Sequence, residues 1–485
     1  MVAVAVSGSD NLVIPGVIIT PEGIVGNQRH PTVERKTEWL IMAGLGLVCL
    51  LWAFTLYWRL FGDDVAFLAE RERYAGVLEW VQHRVATWSS RVAIEAAVFA
   101  FPHYPILWRI VTALAFWLIM VLPPWFIAPD FQTRKWLYPI SAVLLFSVPT
   151  HVLFQVGYVA TAANYLWPFA AGLVVAIPAM AILRGQRFLV WVPLAVLATF
   201  YAASSEIVAV FLMVLYLGVL VARWRKLRLS SAELSAAEPA MSRGNNPVGR
   251  TQLLTLGLFT LGLIAFVAFH LLNPGNALRT TAEIANHFPS FGEISIWRRA
   301  EMGYSNTLRV IFLWRYFAPL IYFGVIAWVS ARRNKAKWLL PLALVPLVAA
   351  LLFSEEFLPE SYYTRIWNQF GFYGLNILRN PGPNAVIVFL LLTALLIIIV
   401  VTTIAALGRQ PSTFLVLVIL ALGFASQTVM GFSPTIWTSG NRTHLYLIMA
   451  FNLATMLVIS GRNWRDKAGT IQGGICKGAN SIEVN

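Results

Sequence analysis

Long apolar runs separated by short polar stretches dominate the chain. A bilayer core takes about 20 apolar helical residues, and the runs 39–61, 105–127, 136–154, 164–183, 251–272, 309–330, 338–354, 385–408, 412–430 and 443–461 fit that requirement, some of them short or tilted. The stretch 188–222 is too long for one span and is interrupted by Ser204, Ser205 and Glu206, which predicts a tight hairpin of two helices. The pattern predicts an all-α polytopic integral membrane protein of about twelve transmembrane helices. Its membrane domain covers 39–461, between an N-terminal tail (1–38) and a C-terminal tail (462–485), both expected to be loose.

Within the first polar stretch, Tyr74, Val77, Leu78, Val81, Val85 and Trp88 recur at three- and four-residue spacing opposite Glu72, Arg73, Glu79, Gln82 and Arg84. That is the pattern of an amphipathic helix lying on a membrane surface, expected to roof the acids before it. The apolar segment from Val92 to Phe101 is too short to span and reads as a re-entrant or interfacial piece.

Composition agrees: 58% of residues are hydrophobic and 12% charged, against about 25% charged in an average soluble domain. The net charge of +14 does not point to nucleic acid, because the basic residues are scattered over short loops rather than gathered on one face. Residues 1–38 lack the basic start, apolar core and cleavage site of a removable signal peptide, so the first run is expected to act as the insertion signal. Cys49 inside that run and Cys476 in the tail lie at different depths, which argues against a disulfide.

Lysine and arginine in short loops are retained in the cytoplasm. With the amino terminus inside, the inner segments collect every lysine, including Lys226 of the 223–250 linker, and both termini are cytoplasmic. The outer segments 62–104, 273–308 and 355–384 then hold glutamate, aspartate and arginine without lysine. A planar guanidinium fork suits phosphate where lysine is only a point charge, so the outer face is read as built either for an anionic ligand or for local arginine–glutamate pairs. In the third outer segment Tyr362, Tyr363, Trp367, Phe370, Phe372 and Tyr373 fit sugar stacking or, more simply, interfacial anchoring.

The chemistry is expected where the first run meets water. Ionised carboxylates at a bilayer edge are costly unless they have a role or face an aqueous cavity, and Asp63 and Asp64 stand there side by side. Either is suited to take the proton of an attacking hydroxyl. Adjacent carboxylates repel, so the pair is expected either to hold one carboxyl above its ordinary pKa or to bind a divalent cation, the one cofactor the sequence suggests. Glu206, in a hairpin with almost no loop, needs water or a partner: acceptor hydroxyls or an arginine. Arg91, Arg279 in the turn after Asn273-Pro274-Gly275-Asn276, and Arg442 each sit just outside a run, where three cations on one face would neutralise a phosphate leaving group. Asn164 and Trp167 open the fourth run and offer amide and aromatic groups to a carbohydrate, although interfacial anchoring also explains the tryptophan. His83, His103, His151, His287 and His444 are dispersed and are assigned no metal. No Gly-rich nucleotide loop, no Gly-x-Ser-x-Gly elbow and no sizeable cytosolic domain is present. An activated donor would therefore have to reach the outer face on a lipid.

The ordered set Gly62-Asp63-Asp64, Trp88-Ser89-Ser90-Arg91, Asn164-Tyr165-Leu166-Trp167-Pro168, Ser204-Ser205-Glu206, Asn273-Pro274-Gly275-Asn276 with Arg279, and Ser439-Gly440-Asn441-Arg442 resembles one bacterial group. These are the polytopic membrane proteins grouped with O-antigen glucosyltransferases, within glycosyltransferase superfamily C. The likeness runs over about residues 55–445; each motif is short, and their order is the more specific feature. It implies a plasma (inner) membrane enzyme that moves a sugar from a polyprenyl-phosphate donor to a glycan or glycolipid acceptor of the cell envelope. Transfer would be by inversion, with an acid of the first outer loop as base. Asp63 and Asp64 match that acidic motif, and Arg91, Glu206, Arg279 and Arg442 match further positions of the pattern. The chain departs from it at Val65, where an aromatic often follows the pair, and at Ser89-Ser90, where Asn or Thr and Gly commonly precede the arginine. The alternatives are a transporter or flippase of lipid-linked glycans, disfavoured by few mid-span charges and unlike halves, a polymerase of lipid-linked repeats, disfavoured by outer loops of similar length, and a non-catalytic scaffold.

Overall fold

A computed structural model describes residues 12–14, 17–20, 23–26, 31–56, 59–237, 247–314, 316–333, 337–352 and 383–478. Among them, eight helices are long and apolar enough to cross a membrane: Val33–Thr55 (within α1, Pro31–Thr55), Pro105–Ile127 (α5), Tyr158–Leu183, Glu206–Arg228, Gly249–Leu272, Phe389–Leu407, Pro411–Phe432 and Gly440–Gly461. The protein is thus a helical, multi-pass membrane protein. Burial differs sharply between these helices. Tyr158–Leu183 and Gly440–Gly461 are each 78% buried over their most apolar stretch, whereas Val33–Thr55 is 11% buried and turns Leu47, Leu51 and Phe54 outward. The first two therefore form the centre of the bundle. Outward leucines carry no penalty where the surroundings are as apolar as they are.

Four further apolar segments differ from single straight spans. The run expected at 136–154 is helix α6 (Phe131–Phe146) and a short α7 (Thr150–Phe154), separated at Ser147–Pro149. A proline disfavours helix in the residue before it, here Val148. The run expected at 309–330 starts earlier and is broken: helix Ile296–Phe312, capped by the Ser295 hydroxyl on the Arg298 N–H, meets helix Phe317–Arg332 at 71°. The hairpin expected at 188–222 is present. Helix α10 (Val192–Ala202) ends at Ala203–Ser205, and α11 (Glu206–Ala237) begins at once. At about 1.5 Å per residue α10 is roughly 17 Å long, and it returns the chain along the helix Trp167–Leu183 to the end where Asn164 lies. The last is the short helix Leu340–Leu352.

The tails and the linker depart from expectation. The N-terminal segment holds a three-stranded antiparallel meander, β1 (Leu12–Ile14), β2 (Val17–Thr20) and β3 (Gly23–Gly26). The final helix continues through the expected tail to Gly478, and α11 runs through most of the expected linker. The segment 355–384, expected on the outer side and holding the aromatic cluster, lies outside the described residues up to Gly382.

The segment 62–104 folds as α2 (Asp63–Glu70), α3 (Val77–Thr87) and α4 (Val92–Ala100). The amphipathic helix exists, but its core contact is Trp80, which is buried against Phe67, Tyr74 and Phe99 and donates from Nε1 to the Glu95 carbonyl. It packs on α4, on α13 (Pro274–His287) and, through Trp80 against Phe67, on α2. Arg84 and the buried Glu95 pair at 3.0 Å and tie α3 to α4. The apolar α4 is too short to span, as expected, and is buried along Ile94, Ala97, Val98 and Phe99.

Candidate functional site

Six short sequence motifs scattered over nearly 400 residues meet at one end of the bundle. The first contact is backbone: the Asp63 N–H donates to the Val156 carbonyl at 2.7 Å, where Gly62 (φ +56°) passes so close that a Cβ would strike that oxygen. This places α2 against the entry to α8 (Tyr158–Thr161). Asp64 is completely buried there, and each of its oxygens accepts a backbone N–H, Oδ2 from Val159 at 3.1 Å and Oδ1 from Ala160 at 2.8 Å. Those donors belong to a helix start, whose first N–H groups lack intrahelical acceptors. Asp64 satisfies them from 95 residues away. Gly157 (φ +139°) makes room, since a Cβ on it would lie 2.5 Å from the Asp64 carboxyl carbon. Burial pushes the Asp64 carboxyl up to about 6, against the pull of the N–H groups of Ala160, Val159 and Tyr158, and neighbouring Asp63 adds to the rise.

Asp63 is the opposite case. Its side chain is 49% exposed and accepts from Arg442 Nη1 at 3.1 Å. Arg442 lies in the turn Gly440–His444 that leads into the central span, and its Nε is buried with no hydrogen-bond partner. Gln155 holds that turn, its Oε1 accepting the N–H groups of Asn441 and Arg442.

A second group adjoins the first through Ala160. Asn164 Nδ2 donates to the Ala160 carbonyl at 2.8 Å, so Asp64 and Asn164 grip the two sides of one residue. Asn164 sits in a π-helical turn, Ala162–Leu166, between α8 and α9 (Trp167–Leu183); such turns are frequent at functional sites. Its Oδ1 accepts from Arg91 Nη1 at 3.0 Å, and Arg91 Nε lies 3.0 Å from both oxygens of Glu206. Both partners keep accessible surface, 24% and 35% of their side chains. Ser205 and Tyr446 join at 3.2 Å, and Tyr446 donates to the Tyr165 carbonyl.

The turn that aims Arg91 is fixed from α12 (Pro247–Leu272) and α13. His270 Nε2 lies 2.7 Å from the Ala203 carbonyl, which can only accept, so this nitrogen carries the proton and Nδ1 accepts from the buried Ser90 hydroxyl at 2.7 Å. Asn276 accepts the Ser90 N–H and donates to the Ser90 hydroxyl and the His270 carbonyl. The Ser204 hydroxyl accepts the Ala93 N–H.

Of the residues expected to act, Asp63 with Arg442, and Arg91 with Glu206 and Asn164, are brought together. Asp64 is joined to them as a buried anchor with both oxygens occupied. Arg279 lies within helix α13 rather than in a turn, pairs with Glu283 at 2.7 Å and faces the Trp88 ring at 6.0 Å. Trp167 is buried between Phe101 and Tyr201, its Nε1 on Thr112, and packs rather than presenting its face to a carbohydrate. The three arginines therefore each have an acidic partner instead of forming one cationic patch. Gln155, His270, Asn276 and Tyr446 are the positioning residues that sequence reasoning missed or left without a role. Only Asn276 stood in a quoted motif, and the bond from Gln155 to Arg442 spans 287 positions. Among the described residues no three of His, Cys, Asp and Glu converge as metal ligands.

The architecture and this polar end define a class, the polytopic helical membrane protein with a structured site at one end of its bundle. No family model, curated protein or solved structure matches the chain.

Proposed function

We propose that the protein is an inverting membrane glycosyltransferase, moving a sugar from a polyprenyl-phosphate donor to a cell-envelope glycan, with Asp63 as the general base. In this reading the bundle crosses the plasma membrane about twelve times, counting the four shorter or broken segments as returns. Both termini are cytoplasmic and Asp63 faces outward.

The observation that carries the reading is the Asp63–Arg442 pair, half exposed and made by residues 379 positions apart, beside a carboxylate that only anchors. The acceptor hydroxyl gives its proton to Asp63 as its oxygen attacks the anomeric carbon. The bond from that carbon to the phosphate oxygen breaks, and polyprenyl phosphate leaves with the electron pair. Arg442 has a buried Nε without a partner, and a donor phosphate competes for its guanidinium, freeing Asp63 to take the proton. Donor binding and base activation are thereby coupled. The Arg91–Glu206–Asn164 group, rigid and partly accessible, orients the acceptor.

The test is transfer from a polyprenyl-phosphate sugar in membranes carrying Asp63→Asn or Asp64→Asn. Asp63→Asn is expected to lose at least 100-fold in rate, within the range of about 10²–10⁴ for general-base removal, with unchanged folding. Full activity of Asp63→Asn refutes the base assignment. Lipid-linked glycan crossing vesicle membranes without sugar transfer points instead to a flippase.

A further inference from the structure

The end of the bundle away from Asp63 carries a second site. The run from Arg442 to Gly461, at about 1.5 Å per residue, is roughly 28 Å long, close to the ~30 Å of a hydrocarbon core. At its far end lies a hollow of about 160 Å³. A single water needs about 10–15 Å³ by the same measure, so this space takes a headgroup rather than one solvent molecule. The helices Phe317–Arg332, Pro383–Leu407, Pro411–Thr428 and the final span all reach it.

Its walls divide by chemistry. Arg332 and Ser412 are exposed and Gln410 and Arg333 partly so, while Val416 and Val458 are buried and line the apolar side. Arg333 is fastened by Nη1 to the Ala406 carbonyl, which fixes where its charge stands. No carboxylate lines the hollow among the described residues. The exposed Arg332 guanidinium at a membrane boundary, beside the fastened Arg333 and over an apolar wall continuous with the spans, presents planar donors to a phosphate and a slot to an acyl chain.

We infer that this hollow binds the phosphate of an anionic phospholipid, with one acyl chain along Val416 and Val458. A zwitterionic headgroup is disfavoured because its cation would stand beside two arginines. The site is independent of the transfer reaction.

The experiment is native mass spectrometry of the detergent-purified full chain with phosphatidylglycerol, phosphatidylcholine or inorganic phosphate added. The expected result is retention of one phosphatidylglycerol at least tenfold above phosphatidylcholine, and no displacement by millimolar inorganic phosphate. Arg332→Ala removes one charge but leaves the walls. Gly461→Trp fills the hollow and leaves the arginines, and a Cβ at Gly461 meets nothing within 4 Å. Each is expected to reduce retention at least tenfold, and if one variant fails to fold the other decides. Equal retention of the two lipids, or wild-type retention in a folded variant, overturns the proposal. Displacement by inorganic phosphate overturns the lipid in favour of a free anion.

Discussion

Replacing Asp64 by alanine separates an anchoring carboxylate from a reacting one, and its cost must depend on pH. The substitution leaves the N–H groups of Val159 and Ala160 without their acceptors. At about 1–3 kcal/mol for each buried unsatisfied donor, the loss over the two is roughly 2–6 kcal/mol. A second effect depends on pH. Burial lifts the Asp64 carboxyl from 3.8 to about 6, so the folded protein holds that proton more tightly than the unfolded chain. The stability this contributes is complete below the unfolded value and fades as pH rises through the folded one. At about 1.36 kcal/mol per pH unit the difference amounts to roughly 3 kcal/mol. Asp64→Ala should therefore cost most near pH 3 and less by roughly 3 kcal/mol near pH 7. Asp63→Ala breaks a half-exposed pair with Arg442 and should cost about 0–1 kcal/mol. Thermal and denaturant unfolding of the detergent-purified variants at several pH values measures all three quantities. A cost for Asp64→Ala that is flat or grows with pH, or one near pH 3 no larger than that for Asp63→Ala, refutes the assignment of Asp64 as the buried anchor.

Other perturbations follow the same geometry. Gly157→Ala forces a Cβ onto the Asp64 carboxyl at a positive φ and should destabilise by about 1–3 kcal/mol; in an Asp64→Ala background the cost should shrink, which a double-mutant cycle reads as coupling. Arg91→Lys cannot reach Glu206 and Asn164 together as the fork does, so sugar transfer should fall about tenfold with a stability change of about 1 kcal/mol. His270→Ala strips a partner from both the Ser90 hydroxyl and the Ala203 carbonyl and should cost about 2–4 kcal/mol in unfolding experiments. His270→Gln, which keeps a donor and an acceptor, should restore part of it.

Much of this protein was legible as one-dimensional pattern. Runs of apolar residues long enough for a bilayer gave the membrane class and the position of most helices, because burial in lipid requires each helix to satisfy its own backbone and so leaves its mark locally. The hairpin at Ser204–Glu206 and the short apolar α4 were readable for the same reason. Breaks were less so: the turn at Ser147–Pro149 and the 71° bend before Phe317 lie within or beside apolar sequence, and packing against neighbouring helices sets their angles. The candidate site divides along the same line. Residue types at span ends singled out Asp63, Asp64, Arg91, Asn164, Glu206 and Arg442, since charge at a bilayer edge is costly without a purpose. Only the tertiary structure distinguished the two aspartates, because the difference lies in the N–H groups of Val159 and Ala160 and in the space left by Gly157. It also turned Trp167 inward and gave Arg279 to Glu283. A sequence states which groups are available; which acceptor meets which donor depends on chain segments hundreds of residues apart being packed side by side.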